Sequence, residues 1–314
     1  MVSASRAGRP SAFRPLSAEA PSREGRPCPF CPGAEPSQKV NLQISGPAGG
    51  WAVRVLANRF PAFSGDESLV VQNTGPVFSQ APASGIHEVV VLSPGHDDHW
   101  GSLGDDQVDL VMRAITTRLV EQSEHGELRY TQVIVNAGRE AGASMDHPHG
   151  QLLGMPFVPR ELVDEQSGFG RFAGNCLLCA TISAEESLGH RIVEATDDAL
   201  LIAPFWSGTP FEMLVLPRSH ESHLHRSPER VCQAVGKALR DAICRLERTV
   251  GKVAYNLVFH SAPYRATGTY HWHVHVWPKL TTLAGFELGT GVLINVVSPE
   301  AAARDLRHAG CGMP

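Results

Sequence analysis

The sequence predicts an α+β fold in which one unit occurs twice, giving two homologous halves that each pack helices against an antiparallel sheet. Three observations carry this. The stretch "HEVVVLSPGHDDH" (87–99) aligns without a gap to "FEMLVLPRSHESH" (211–223). A further histidine follows at the same interval in both copies, since 147 minus 96 and 271 minus 220 each give 51. Between these marks both halves run a helix-period pattern and then a strand-type run. At 314 residues, 42% of them hydrophobic, the chain can bury a core for two such units.

The elements follow in order. Residues 1–26 are rich in Arg, Ser, Pro and Ala and read as a disordered tail. The first half, 27–165, opens with "CPFCPG", runs through the strand at 87–92 and the helix "DDQVDLVMRAITTRLVEQ", and continues into the strand "YTQVIVNAG". It then reaches "SMDHPHGQLLG". The second half, 166–314, repeats the series with "NCLLCA", "FEMLVLP", "PERVCQAVGKALRDAICRLE", "AYNLVFHSAP" and "HWHVHVWP". The paired acidic residues before the first helix suit a helix start, where carboxylates meet the positive end of the dipole. Trp272 and Trp277 read as sheet-packing groups.

Composition narrows the function. The formal net charge is −5 and no basic block occurs, which argues against a nucleic-acid polymer as partner. No run reaches the roughly 18 apolar residues of a membrane span, and the start lacks the apolar core of a secretory signal. A cytoplasmic protein is expected. Seven cysteines, an odd number, argue against a disulfide framework in such a setting, with Cys232, Cys244 and Cys311 standing alone.

The repeat instead assigns metal ligands. It selects Cys28, Cys31, His96 and His147 in the first half and Cys176, Cys179, His220 and His271 in the second. Cys2His2 is a closed tetrahedral zinc sphere with no open position for water, so both sites read as structural. A C-x-x-C pair alone could serve redox chemistry; the recurring histidines favour zinc.

With His147 assigned to metal, His149 remains for chemistry. Alternate residues of a strand share a face, so His149 and Gln151 point the same way, and Pro148 marks a strand end. Gly150 is expected to let a ligand approach the backbone. A neutral imidazole can attack an α-phosphorus to give a phosphoramidate, which a second acceptor resolves. Gln151 can donate N–H to a phosphoryl oxygen without supplying a proton, which favours transfer over hydrolysis.

"HPHGQ", taken with "CPFCPG", "PFWSGTPFEMLVLPRSH", "YNLVFHSAPY" and "GFELGTG", resembles the galactose-1-phosphate uridylyltransferase branch of the histidine-triad superfamily, from about residue 28 to the C-terminus. The resemblance implies a duplicated histidine-triad-like fold. It further implies a nucleotidyltransferase that moves a nucleoside monophosphate from a nucleotide sugar of the UDP-hexose type to a sugar 1-phosphate, by a ping-pong route through nucleotidyl-His149 with Gln151 assisting. Asn136 and Ser144 correspond to phosphate and sugar-phosphate contacts, Asn58 to a nucleoside contact and Glu287 to a hexose contact. His273 and His275 are expected to border the same site. Sites shared between two copies of the chain are common in the family, so a homodimer is expected.

Other residues point to a sister branch. Asn58 is followed by Arg59 where the common bacterial type has Asp. The second C-x-x-C, "GASM" and "FELGTGVLINVV" resemble the ADP-glucose phosphorylase branch, in which phosphate is the acceptor. A nucleotide-sugar or dinucleoside polyphosphate phosphorylase is therefore the alternative, and a non-catalytic zinc-stabilised nucleotide-binding protein a second one. In common uridylyltransferases a different second metal site would fall on Glu165, His260, His273 and His275; the cysteine set is preferred here. "HWHVHVWP" also fits the superfamily pattern with His273 central, yet only His149 is accompanied by Asn136, Ser144 and Gln151.

Overall fold

The fold is described from a computed structural model covering residues 28–34, 38–47, 49–66 and 68–311. The expected tail at 1–26 lies outside these residues. Among the described residues twelve strands and six α-helices follow one another: β1 (Val40–Ser45), β2 (Trp51–Ala57), β3 (Gln72–Asn73), β4 (Ser79–Gln80), β5 (Ile86–Val91), α1 (Asp105–Ser123), β6 (Tyr130–Ala137) and β7 (His149–Met155). Then come α2 (Arg160–Arg171), α3 (Leu177–Leu188), β8 (Ile192–Ala195), β9 (Ala199–Ile202), β10 (Met213–Pro217), α4 (Glu229–Val250), β11 (Tyr255–His260), β12 (His273–Pro278), α5 (Gly285–Thr290) and α6 (Pro299–Ala309).

Ten strands form one antiparallel sheet in the order β1-β2-β5-β7-β6-β11-β12-β10-β9-β8, while β3 and β4 pair separately. The order is mirrored about the β6–β11 pair, so the two copies of the repeat meet edge to edge and share one sheet. Tyr255 stands opposite Ala137 and Asn256 opposite Asn136 at that seam.

Alternation along the strands gives the sheet two different faces. Val90, Val133, Val135, Leu152, Leu257, Phe259, Val274 and Val276 turn to one side and join a core with residues of α1, α4 and α6. The two long helices approach closely there, because a Cβ added to Gly236 would lie 2.6 Å from Met112 Cγ and 2.8 Å from Val108 Cγ1. A single large-to-small change in such a core costs about 2–5 kcal/mol. The opposite face carries a row of polar side chains across the seam, flanked by a second apolar cluster with Tyr130, Phe169, Leu214 and Tyr270. Among the described residues no helix is long and apolar enough to cross a membrane.

Two expectations are corrected here. Cys244 of α4 and Cys311 beyond α6 form a disulfide, with Cα atoms 5.9 Å apart. Their separation of 67 residues obeys no spacing rule; the packing of α6 on α4 brings them together. Gly150 does not open the backbone to a ligand, because it turns to the core face, where an added Cβ would meet Ile134 O at 3.1 Å and Val135 Cγ2 at 3.3 Å. Close strand and core packing explains the glycine.

Candidate functional site

The polar face of the central strands builds the site. His149 opens β7, immediately after Pro148, whose carbonyl accepts from Leu92 N–H at 3.1 Å and ends the pairing of β5 with this strand. His149 and Gln151 are buried on one face, as period-2 alternation requires. The ring of His149 donates from Nδ1 to the carbonyl of His147 at 2.9 Å. That bond places the proton of a neutral imidazole on Nδ1 and leaves the lone pair on Nε2.

Beside it lies a cavity of about 400 Å³, lined by His149, Asn136, Gly138, Asp98, Glu140 and Lys252 among others. Asn136 belongs to β6, the neighbouring strand, so the register brings two of the expected site residues to one wall. Ser144 sits exposed in the loop between β6 and β7. Asn58 lies at the far side of Gln151, its Nδ2 being 3.1 Å from His87 Nε2, while its Oδ1 accepts from Phe60 N–H at 2.8 Å. Glu287 is on the short helix α5 and accepts from Ala284 N–H at 2.9 Å; it does not line the cavity.

Two residues that sequence reasoning missed support this wall. His87 is buried, accepts from Ala62 N–H at Nδ1 (2.9 Å) and meets Gln151 Oε1 at Nε2 (2.9 Å). Asn256 Nδ2 donates to Asn136 Oδ1 at 2.7 Å and to Ala141 O at 2.9 Å. For His87 a signal existed: it breaks the repeat, which has Phe211 at the matching position.

Both cysteine-histidine sets assemble. In the first, Cys31 Sγ lies 3.4 Å from His96 Nδ1 and 3.7 Å from His147 Nδ1, and Cys28 Sγ lies 3.8 Å from His147 Nδ1. In the second, Cys179 Sγ is 3.5 Å from both His220 Nδ1 and His271 Nδ1, and Cys176 Sγ is 3.7 Å from His271 Nδ1. A tetrahedron with Zn–S of about 2.3 Å and Zn–N of about 2.0 Å has S···N edges of about 3.5 Å, so the donors fit zinc. His147 Nε2 meets Ser93 O at 2.8 Å and His271 Nε2 meets Pro217 O at 2.9 Å, the outer partner a ligating imidazole needs. Burial pushes the Cys179 thiol up to about 11 and pulls His271 down to about 4, which keeps that imidazole neutral and able to coordinate.

A third cluster spans the seam. Glu165 of α2 reaches His260 Nδ1 and His273 Nε2, each at 3.0 Å, and His273 Nε2 lies 3.2 Å from His275 Nε2. These four donors also lie within 4.8 Å of one another. The cysteine set and this set, posed as rivals by the sequence, are both formed. Burial would raise Glu165, but hydrogen bonds from His260 and His273 outweigh it and hold the carboxyl far below its usual range. His273 copies His149 in donating from Nδ1 to the carbonyl two residues back, 2.9 Å away at His271. Its Nε2, however, faces Glu165 and His275, whereas His149 lines the cavity.

The comparisons with known proteins agree with this architecture. A family model described as the N-terminal domain of galactose-1-phosphate uridyl transferase matches residues 1–159, and a model described only as a domain of unknown function matches 104–308. An ADP-glucose phosphorylase of Arabidopsis thaliana is 30% identical over 98% of this chain and 89% of its own length. A galactose-1-phosphate uridylyltransferase of Thermotoga maritima is 28% identical over 80% of this chain and 82% of its own. The crystal structure of the Arabidopsis thaliana ADP-glucose phosphorylase with bound ADP-glucose superposes with a TM-score of 0.79 at 27% identity, covering 95% of this chain and 93% of that one. With two mirrored halves, Cys2His2 clusters in both and HPHGQ leading into the strand next to the seam, the chain belongs to the galactose-1-phosphate uridylyltransferase family of nucleotidyltransferases, within the histidine-triad superfamily.

Proposed function

We propose that the chain moves a nucleoside monophosphate from a nucleotide sugar of the UDP-hexose type to a sugar 1-phosphate through a covalent intermediate on His149. The observation that carries this is the bond from His149 Nδ1 to the His147 carbonyl, because it sets the tautomer in which Nε2 is the nucleophile. The Nε2 lone pair attacks the α-phosphorus; an N–P bond forms, and the bond to the bridging oxygen breaks as sugar 1-phosphate leaves with the electron pair. No proton moves. The imidazolium so formed keeps its Nδ1–H on the His147 carbonyl, which stabilises the positive charge. A phosphate oxygen of the acceptor then attacks phosphorus and returns the pair to Nε2. Gln151 and Asn136 supply N–H donors to the non-bridging oxygens as charge develops there, an effect of about 10²–10³ in rate per donor in comparable sites.

Zinc at Cys28, Cys31, His96 and His147 and at Cys176, Cys179, His220 and His271 would be structural, supplying folding energy through a closed sphere. The first site holds His147, whose carbonyl orients His149, and Phe30 of its C-x-x-C turn lies 6.0 Å from the His149 ring. A second reading, transfer from an ADP-sugar to inorganic phosphate, is favoured by the 30% identity to the ADP-glucose phosphorylase over 98% of the chain. A homodimer fits the exposed apolar residues Phe286, Leu288, Ile294 and Val296 around Glu287, and light scattering tests it.

Intact mass spectrometry after exposure to UDP-glucose or ADP-glucose tests the covalent step. A nucleoside monophosphate increment is expected on the native chain and on His273→Ala, and none on His149→Ala. Chasing the adduct with galactose 1-phosphate or with phosphate identifies the acceptor. An adduct on His149→Ala that disappears in His273→Ala overturns the assignment.

A further inference from the structure

Two side-chain amides beside His149 can each present either oxygen or nitrogen to a bound phosphoryl group. Only the nitrogen helps, since the oxygen would repel the charge. Hydrogen bonding from two other residues removes the choice.

For Gln151 the chain of constraint begins at a backbone group. Ala62 N–H donates to His87 Nδ1 at 2.9 Å, and a backbone amide can only donate. The single proton of neutral His87 therefore sits on Nε2. Two amides lie near that nitrogen. Asn58 has its oxygen held by Phe60 N–H and turns its Nδ2 toward His87, so it offers no acceptor. Gln151 Oε1, 2.9 Å away, is left to accept. Rotating Gln151 would crowd three N–H donors together in a buried place, where an unpaired polar group is costly. The amide nitrogen of Gln151 is thereby turned away from His87, on the strand face that also carries His149.

For Asn136 the constraint begins at a carbonyl. Ala141 O can only accept, so the Asn256 atom 2.9 Å from it is Nδ2, and the second hydrogen of that nitrogen goes to Asn136 at 2.7 Å. Asn136 must show Asn256 its oxygen, which leaves its nitrogen free to turn elsewhere, and the residue lines the cavity.

We infer that His87 and Asn256 are positioning residues that hold the amides of Gln151 and Asn136 with their N–H groups toward the transferring phosphoryl group. The inference rests on the covalent reading above. It assigns a task to two residues that do not touch the reacting atoms, and gives the site two donors oriented before substrate arrives, so no reorganisation is needed in the transition state.

The test uses the full-length protein, loaded with UDP-glucose or ADP-glucose, whichever gives the adduct, and with the Rp and Sp α-phosphorothioate forms of that nucleotide sugar. Sulfur accepts a hydrogen bond poorly, so fixed donors make the native chain discriminate between the two diastereomers. Asn256→Asp is nearly isosteric but offers Asn136 an acceptor, which turns the Asn136 amide over. His87→Phe removes the donor that holds Gln151. Each variant is expected to form the adduct about 10- to 1,000-fold more slowly at saturating substrate, with KM changed less than about threefold and with reduced discrimination between Rp and Sp. A loss of stability alone would lower the folded fraction without moving the diastereomer ratio. Should His87→Phe fail to fold, Asn256→Asp carries the test. Native rates and a native diastereomer ratio in folded Asn256→Asp and His87→Phe overturn the inference while leaving covalent transfer standing. Absence of any adduct on the native chain overturns the covalent reading and this inference with it.

Discussion

Replacing Arg118 by Met tests how β5 is held in place. Glu88 of β5 points into the helix-covered core, where its side chain is 1% exposed. Its carboxylate accepts from Arg118 Nη2 at 2.7 Å and Nε at 3.1 Å, from Gln122 Nε2 at 2.9 Å and from Asn41 Nδ2 at 2.5 Å. Met fills much of the space of the arginine stem but leaves the carboxylate buried without its cation. Breaking one side of such a pair costs about 3–5 kcal/mol. The two neutral donors that remain each retain part of the solvation, which places the loss near the low end, about 3 kcal/mol. The second partner of Arg118, Glu121, is half exposed, so its loss adds little. Urea unfolding should show the midpoint falling at unchanged m. The double variant Glu88→Gln with Arg118→Met should recover more than half of the loss, because the stranded charge is gone. Because His87 is the neighbour of Glu88 and faces the other side of the sheet, the folded single variant is expected to keep its rate of adduct formation. A loss below about 1 kcal/mol, or a double variant no more stable than Arg118→Met, would refute the reasoning.

Removing a single thiol should separate the two metal sites: Cys179→Ser is expected to lower bound zinc by about one equivalent per chain in elemental analysis, and Cys28→Ser by a different equivalent, with a fall in Tm in each. Gly150→Ala should destabilise by about 1–3 kcal/mol, because its methyl meets Ile134 O and Val135 Cγ2, yet leave KM unchanged; a raised KM in a stable variant would restore ligand approach as the reason for the glycine. Acid stability should respond to His225, which burial, reinforced by His223 and Arg226, holds at about 4 against an ordinary 6.5. As pH falls through this window the unfolded chain takes up the proton first, so the contribution is whole above about 6.5 and is lost progressively toward about 4. Thermal melts of His225→Gln should be flatter across that range, and an identical acid slope would exclude the residue.

The sequence made the architecture legible because a duplication repeats its marks at fixed offsets. Ser93 and Pro217, His147 and His271, and His149 and His273 all differ by 124, and the structure gives each pair the same hydrogen bond. Contacts that depend on register were not legible in this way. His87 and Gln151 are 64 residues apart and Asn256 and Asn136 are 120 apart, and only the folded sheet sets them side by side. Glu165 lies on α2, outside the aligned segments, so nothing in the repeat announced that it would close a cluster with His260, His273 and His275. That placement bears on the chemistry. Both halves hold the middle histidine of their motif by the same Nδ1–H bond, so that anchor is common to the two copies. What differs is the company of Nε2. In the second half a carboxylate and an imidazole occupy its surroundings; in the first, a cavity lies beside the ring, with an amide on its wall. On the covalent reading, one ancestral arrangement has thus been kept twice for its geometry and once for its reactivity, and the divergence lies in what meets the second ring nitrogen rather than in the histidine itself.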